Sequence, residues 1–189
     1  MRTSRACVTQ TVVTEPDRIL LVGMMGAGKT TVGRALATRL EYGYMDSDHQ
    51  VESRTGQTVR QIFETRGEAA FREEERHALE EALAGEGPMV ISVAGGAVLD
   101  PDNRKRLGHA GLVVWLEASP SVLARRVVGA GHRPLLGDDP QEALTRLYRD
   151  RVPHYEELAD LVINVEERTP EQAVQEIVDH LGPDNRGER

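Results

Sequence analysis

Residues 23–30 read GMMGAGKT, and these residue types at this spacing suit the cradling of phosphate. Glycines at 23, 26 and 28 permit backbone conformations that side chains would obstruct, so successive N–H groups can turn inward around phosphate oxygens. A helical pattern running on from Thr31 adds the positive end of its dipole. Lys29 can reach the β- and γ-phosphates, and the Thr30 hydroxyl can ligate the magnesium that accompanies a nucleoside triphosphate. The bland alternative is a Gly-rich strand-to-helix turn with an exposed lysine. The matched spacing, with an apolar run before it and a helical pattern after it, favours nucleotide binding.

Other groups could supply the second half of such chemistry. Asp46 and Asp48 are one residue apart, so in an extended segment their side chains share a face. One could face a metal, while the other orients an acceptor hydroxyl and takes its proton. Paired aspartates also cap helices, and Asp48 precedes a plausible one. Arg72 belongs to a helical stretch from about Glu68, with Glu68 four residues before it and Glu75 three after on the same face. These carboxylates could fix its guanidinium, although for a run such as REEERHALEE a solvated salt-bridge ladder is the more usual outcome. Arg151 follows Leu144, Leu147 and Tyr148 on one helical stripe, which predicts an arginine buried against an acid or pointed into a pocket.

Strand-like apolar runs recur at 19–22, 89–93, 112–116 and 161–165, with a weaker one at 42–45, and longer helical patterns lie between them. This alternation predicts a three-layer α/β fold in which a parallel five-stranded sheet carries helices on both faces. Ligands in such sheets collect beyond the strands' C-terminal ends. There the runs lead into GMMGAGKT, Asp46-Ser47-Asp48 and Ala94-Gly95-Gly96. Many phosphate-loop hydrolases end a neighbouring strand in a magnesium-binding acid. The run MVISV ends in AGG instead, so that role passes to Asp46. The Asn-Lys-x-Asp signature of guanine readers is also absent, and the pattern suits a small-molecule kinase. Residues 129–140, GAGHRPLLGDDP, read as a mobile lid carrying Arg133, or as a plain connecting loop.

The chain has 189 residues, 39% of them apolar, and 31 acids against 23 bases give a net charge of −8. One kinase domain over 18–181 is expected, with a frayed tail at 182–189. The acidic balance opposes a nucleic-acid partner. No run approaches the roughly 18 to 20 apolar residues of a membrane span. A single cysteine, Cys7, excludes an internal disulfide and a cysteine-rich zinc site. A reducing cytoplasm fits best. Residues 1–17 lack the apolar middle of a secretory signal and read as a disordered tail.

Together, GMMGAGKTTVGRALA, MDSD, GEAAFREEE, AGGAV, RPLL and RVPHYEELAD resemble shikimate kinase, of the nucleoside monophosphate kinase-like branch of phosphate-loop folds. The resemblance runs over about 19–181. It implies ATP-dependent phosphorylation of the 3-hydroxyl of shikimate on the way to chorismate and the aromatic amino acids. It assigns Gly26, Ala27, Gly28, Lys29, Thr30 and Thr31 to the nucleotide, Thr30 and Asp46 to magnesium, and Asp48 to the shikimate hydroxyls as base. Arg72 and Arg151 would hold the shikimate carboxylate, since guanidinium donors match it in a fork. Glu75 would orient Arg72, and Gly95 and Gly96 would lie against the ring. Arg133 would close over the transferring phosphoryl group, and Arg126, Arg168 and Pro170 would flank adenine. The substrate-binding subregion would span about 48–84. The implied partners are ATP and shikimate, with no nucleic acid, no membrane and a monomeric chain.

Two departures accompany the resemblance. Ala94 stands where the family usually has the first of three glycines, and a left-handed backbone there would cost about 1 kcal/mol or more. Thr30 replaces a common serine with the same hydroxyl. A gluconate kinase of the same branch, or a nucleotide-binding domain without catalysis, are the alternative readings.

Overall fold

A computed structural model describes residues 16–127 and 139–182. Five strands, β1 (Arg18–Val22), β2 (Gly43–Asp46), β3 (Met89–Ser92), β4 (Leu112–Glu117) and β5 (Leu161–Asn164), form one sheet in the order β2-β3-β1-β4-β5. All pairs are parallel. In β1, Ile19, Leu20 and Leu21 are fully buried although successive side chains point to opposite faces. Helices therefore cover both sides, and the unbroken ILLV run is what such a strand requires.

The helices are α1 (Lys29–Leu40), α2 (Ser47–Thr55), α3 (Val59–Ala84), α4 (Pro101–Ala110), α5 (Pro120–Val127), α6 (Pro140–Leu158) and α7 (Pro170–Leu181). Helix α1 starts at Lys29, two residues earlier than its apolar pattern, because Gly28 ends the loop as N-cap. Strand β2 ends at Asp46 rather than 45. Thr58 and Gln61 cap α3 reciprocally. That helix breaks at Gly67 (φ 80°, ψ 174°), so a fresh helical run begins at Glu68.

Register sets the site. Asp46 pairs with Ser92, Ser92 with Leu21, and Leu21 with Val114. The C-terminal ends of β2, β3 and β1 thus lie within one residue of each other, β4 runs on to Glu117, and the loop from Gly23 springs from the middle of the sheet. The main core runs along the sheet, while Val51, Ile62, Phe71 and Ala78 form a separate small core between α2 and α3. The Phe63 and Phe71 rings, 4.8 Å apart, close that second core. Of the expected lid at 129–140, all but its last two residues lie outside the described residues, as do Cys7, nearly all of the N-terminal tail and all of the C-terminal tail past Gly182.

Candidate functional site

The loop between β1 and α1 is shaped by its own glycines. Gly23, Gly26 and Gly28 have φ of 139°, 82° and 92°, values that side-chain-bearing residues rarely adopt. At Gly23 sterics add to this, because a Cβ would sit 2.5 Å from the Leu116 carbonyl oxygen. Lys29 Nζ donates to the Gly23 and Met24 carbonyls at 2.8 and 3.1 Å, spanning the loop that it follows.

Beside it, Thr30 Oγ1 donates to Asp46 Oδ2 at 2.9 Å. Asp46 is also the N-cap of α2, its Oδ1 accepting from the Asp48 backbone N–H at 3.1 Å. This corrects one expectation: the capping aspartate is Asp46, and Asp48 lies in the first turn of the helix. The two carboxylates do not share a strand face, because the chain changes from strand to helix between them. They line one cavity all the same. Tyr44 adds its hydroxyl to Asp46 Oδ2 at 3.2 Å. Partial burial raises the Tyr44 pKa, a contact with Ser92 works against that, and the Asp46 charge reinforces it.

Across the cavity, α3 presents Arg72. Its Nη1 donates to both Glu75 oxygens at 3.1 and 2.9 Å, and its Nη2 donates to Glu68 at 3.0 Å. The ladder reading of this helix therefore holds for Glu68, which is exposed, but not for Glu75, which is 2% exposed. Burial pushes the Glu75 carboxyl up to about 7, although the Arg72 charge and hydrogen bonds pull the other way. For Arg72, burial opposes the charge, but Glu75 and Glu68 more than offset it and raise its pKa.

Arg151, on α6, is 2% exposed and lines the same cavity, so the pocket-facing reading of its stripe is the observed one. Its Nε is buried with no hydrogen-bond partner among the described residues. One turn on, Tyr155 stacks on Trp115 at 5.7 Å and donates to the Gly95 carbonyl at 2.8 Å. Burial pushes its phenol pKa upward, against the nearby Arg151 charge.

The AGG turn after β3 is read by these arginines. A Cβ at Gly96 would fall 2.2 Å from Arg72 Nη1, and one at Gly95 would fall 3.2 Å from Arg151 Nη1. Bare backbone at Gly96 is what lets the Arg72 guanidinium come this close, and a methyl at Gly95 would be a tight fit beside Arg151. Ala94 meets no such limit: Glu41 is the one non-glycine with positive φ among the described residues, so the methyl carries no left-handed strain. Its N–H donates to Ser47 Oγ at 2.8 Å.

A cavity of about 680 Å³ is lined by the loop from Gly28 to Thr31 and by Asp46, Asp48, Arg72, Glu75, Gly95, Gly96 and Arg151. A neighbouring hollow of about 260 Å³ is lined by Gly26, Ala27, Thr31, Arg126, Arg168 and Pro170. Arg126 lines both, its Nη2 donating to the Val165 carbonyl at 2.6 Å. Every candidate residue therefore falls on one of two adjoining hollows, except Arg133, which lies outside the described residues. In an acidic chain, the larger hollow gathers Lys29, Arg60, Arg72, Arg126 and Arg151, a wall suited to anions. Sequence reasoning missed Ser47, Tyr44, Ser92 and Tyr155. Only Tyr155 left a signal, as a polar-tipped aromatic one helical turn beyond Arg151.

The family model described as shikimate kinase matches residues 25–182. A shikimate kinase of Paramagnetospirillum magneticum is 44% identical over 164 residues, 86% of this chain and 83% of its own. A solved structure of shikimate kinase from Acinetobacter baumannii in complex with shikimate superposes with a TM-score of 0.85 at 38% identity, covering 89% of this chain and 93% of that one. A gluconokinase from Sinorhizobium meliloti shares the fold at a TM-score of 0.64 and 23% identity, over 88% of this chain and 91% of its own.

Proposed function

The chain belongs to the shikimate kinase family, whose members phosphorylate shikimate with ATP in aromatic biosynthesis, and on that premise we propose how its residues divide the work. The loop and Lys29 hold the triphosphate, whose β- and γ-oxygens suit the inward N–H groups and the ammonium. The smaller hollow, with Arg126, Arg168 and Pro170, takes adenine. Thr30 Oγ1 and Asp46 Oδ2, hard oxygens 2.9 Å apart at the loop, fit magnesium, which favours oxygen donors shared with substrate phosphates. When bound, that ion neutralises charge on the phosphates.

Shikimate occupies the larger hollow. Arg72, braced by Glu75, and Arg151 bind its carboxylate, and the 3-hydroxyl then faces Asp48. The hydroxyl oxygen forms a bond to the γ-phosphorus, the bond from that phosphorus to the bridging oxygen of ADP breaks, and the hydroxyl proton passes to Asp48. Arg133, which lies outside the described residues, is assigned to the transferring phosphoryl group, where its charge would offset the negative charge that develops. Among the described residues no helix is long and apolar enough to cross a membrane, in keeping with a cytoplasmic reaction.

The observation that carries this reading is the convergence of two arginines, Arg151 buried and Arg72 half-buried, on the Gly95-Gly96 backbone in the cavity that Asp48 also lines. An acceptor screen with ATP and magnesium tests it, using shikimate, gluconate and a shikimate analogue lacking the carboxylate. ADP release is expected with shikimate, and with the analogue only at far higher concentration. Equal rates with shikimate and the analogue would overturn the carboxylate assignment, and a preference for gluconate would overturn shikimate as the acceptor.

A further inference from the structure

We propose that Tyr44 is a positioning residue for the magnesium side of the site: its hydroxyl, held between Ser92 and Asp46, aims the Asp46 carboxylate at Thr30. The inference rests on the reading of Thr30 and Asp46 as the metal-facing pair.

In β2, Tyr44 and Asp46 are two residues apart and so project from the same face. The Tyr44 hydroxyl lies 3.2 Å from Asp46 Oδ2 and 3.0 Å from Ser92 Oγ. A hydroxyl has one proton and a carboxylate can only accept. The tyrosine proton therefore goes to Asp46, and the Ser92 hydroxyl donates to the tyrosine oxygen. With Thr30 bonded to the same Oδ2 and the α2 backbone capped by Oδ1, both Asp46 oxygens are held. Ser92 ends the strand next to β1, the place where many phosphate-loop hydrolases put their magnesium carboxylate. Here a serine–tyrosine pair stands there and passes its support one strand sideways.

The ring is seated for this task. Gly33 of α1 clears its place, because a Cβ there would fall 2.7 Å from Tyr44 Cε2 and 3.1 Å from Ser92 Oγ. The Arg34 guanidinium lies 5.6 Å from the ring centroid on the same helix. A phenylalanine could fill the same seat, so what tyrosine adds is the hydroxyl. Groups that orient a metal's ligands commonly govern affinity for the metal.

The test measures ADP binding by calorimetry across a magnesium series, with shikimate binding titrated separately. Tyr44→Phe keeps the ring and is expected to raise the magnesium concentration at the midpoint about tenfold, leaving shikimate affinity and ADP affinity without magnesium unchanged. Ser92→Ala, which frees the tyrosine from the other side, should shift the midpoint in the same direction. Adding it to Tyr44→Phe should then produce little more. Asp46→Asn is the control. If it raises the midpoint while Tyr44→Phe and Ser92→Ala do not, the positioning role is wrong and the metal pair stands. If Asp46→Asn also leaves the midpoint in place, the metal assignment itself fails. A Tyr44→Phe protein that weakens shikimate binding as much as magnesium binding would mean a general structural role and would also overturn the proposal.

Discussion

Asp48 and Glu75 are carboxylates on opposite sides of one cavity, and their surroundings prepare them for different work. Asp48, at the exposed start of α2, is assigned the acceptor's proton. Asp48→Asn should therefore lower kcat by about 10² to 10⁴, while calorimetry finds nucleotide binding unchanged. Glu75 is buried, and its carboxyl is pushed up to about 7 from an ordinary 4.5. Between those values the folded protein holds a proton that the unfolded chain has lost, so this site's contribution to stability is complete below pH 4.5 and fades as pH rises through 7. Glu75→Gln cannot ionise. The melting temperature of the variant minus that of the parent should climb from pH 5 to 7 and level off by pH 8, a change worth at most about 3 kcal/mol. A difference that stayed flat with pH would mean that the Arg72 pair keeps Glu75 ionised throughout. The Arg72 partners were readable in the sequence because helical spacing brings residues at i−4 and i+3 to one face. The Tyr155–Gly95, Ser47–Ala94 and Tyr44–Ser92 contacts span 60, 47 and 48 residues. No local spacing announces them.

At the scale of elements, the phosphate loop and the turn after β3 use glycine for different ends, and substitution should separate them. Gly23→Ala places a methyl against the Leu116 backbone at a φ of 139°, where nothing flexible can yield. It should cost about 2 kcal/mol or more, seen as a clear drop in melting temperature. Gly96→Ala meets only the tip of the Arg72 side chain, which can swing aside. The fold should melt nearly as before, while shikimate affinity falls as far as in Arg72→Ala. Equal affinity in parent and Gly96→Ala would detach the arginine from the acceptor. The loop was legible because its demands fall on consecutive residues, and the strands because burial on both faces leaves unbroken apolar runs. The aspartate pair was misjudged as a shared strand face because the strand ends at Asp46, where its own side chain begins the next helix.

Over the whole molecule, the layout divides stability unevenly. The sheet shares one long core with α1 and its neighbours, which the last turns of α3 join through Leu79 and Ala82, whereas α2 and the rest of α3 pack on four buried residues of their own. Amide exchange should therefore be fastest in α2 and the first half of α3 and slowest in β1 and β4. Saturating shikimate should slow it in α2 and α3 by binding Asp48 and Arg72, with little effect on the central strands. Protection confined to α1 would place the acceptor elsewhere. The same layout sets the chain's one tryptophan where both halves of the site meet. Trp115 is 5% exposed, its Cδ1 would lie 3.5 Å from a Cβ at Gly23, and its ring stacks on the tyrosine that holds Gly95. A single unlabelled chromophore thus borders the nucleotide loop on one side and the acceptor turn on the other. Its emission becomes a built-in optical gauge, able to follow each substrate's arrival in a stopped-flow trace without any dye being attached.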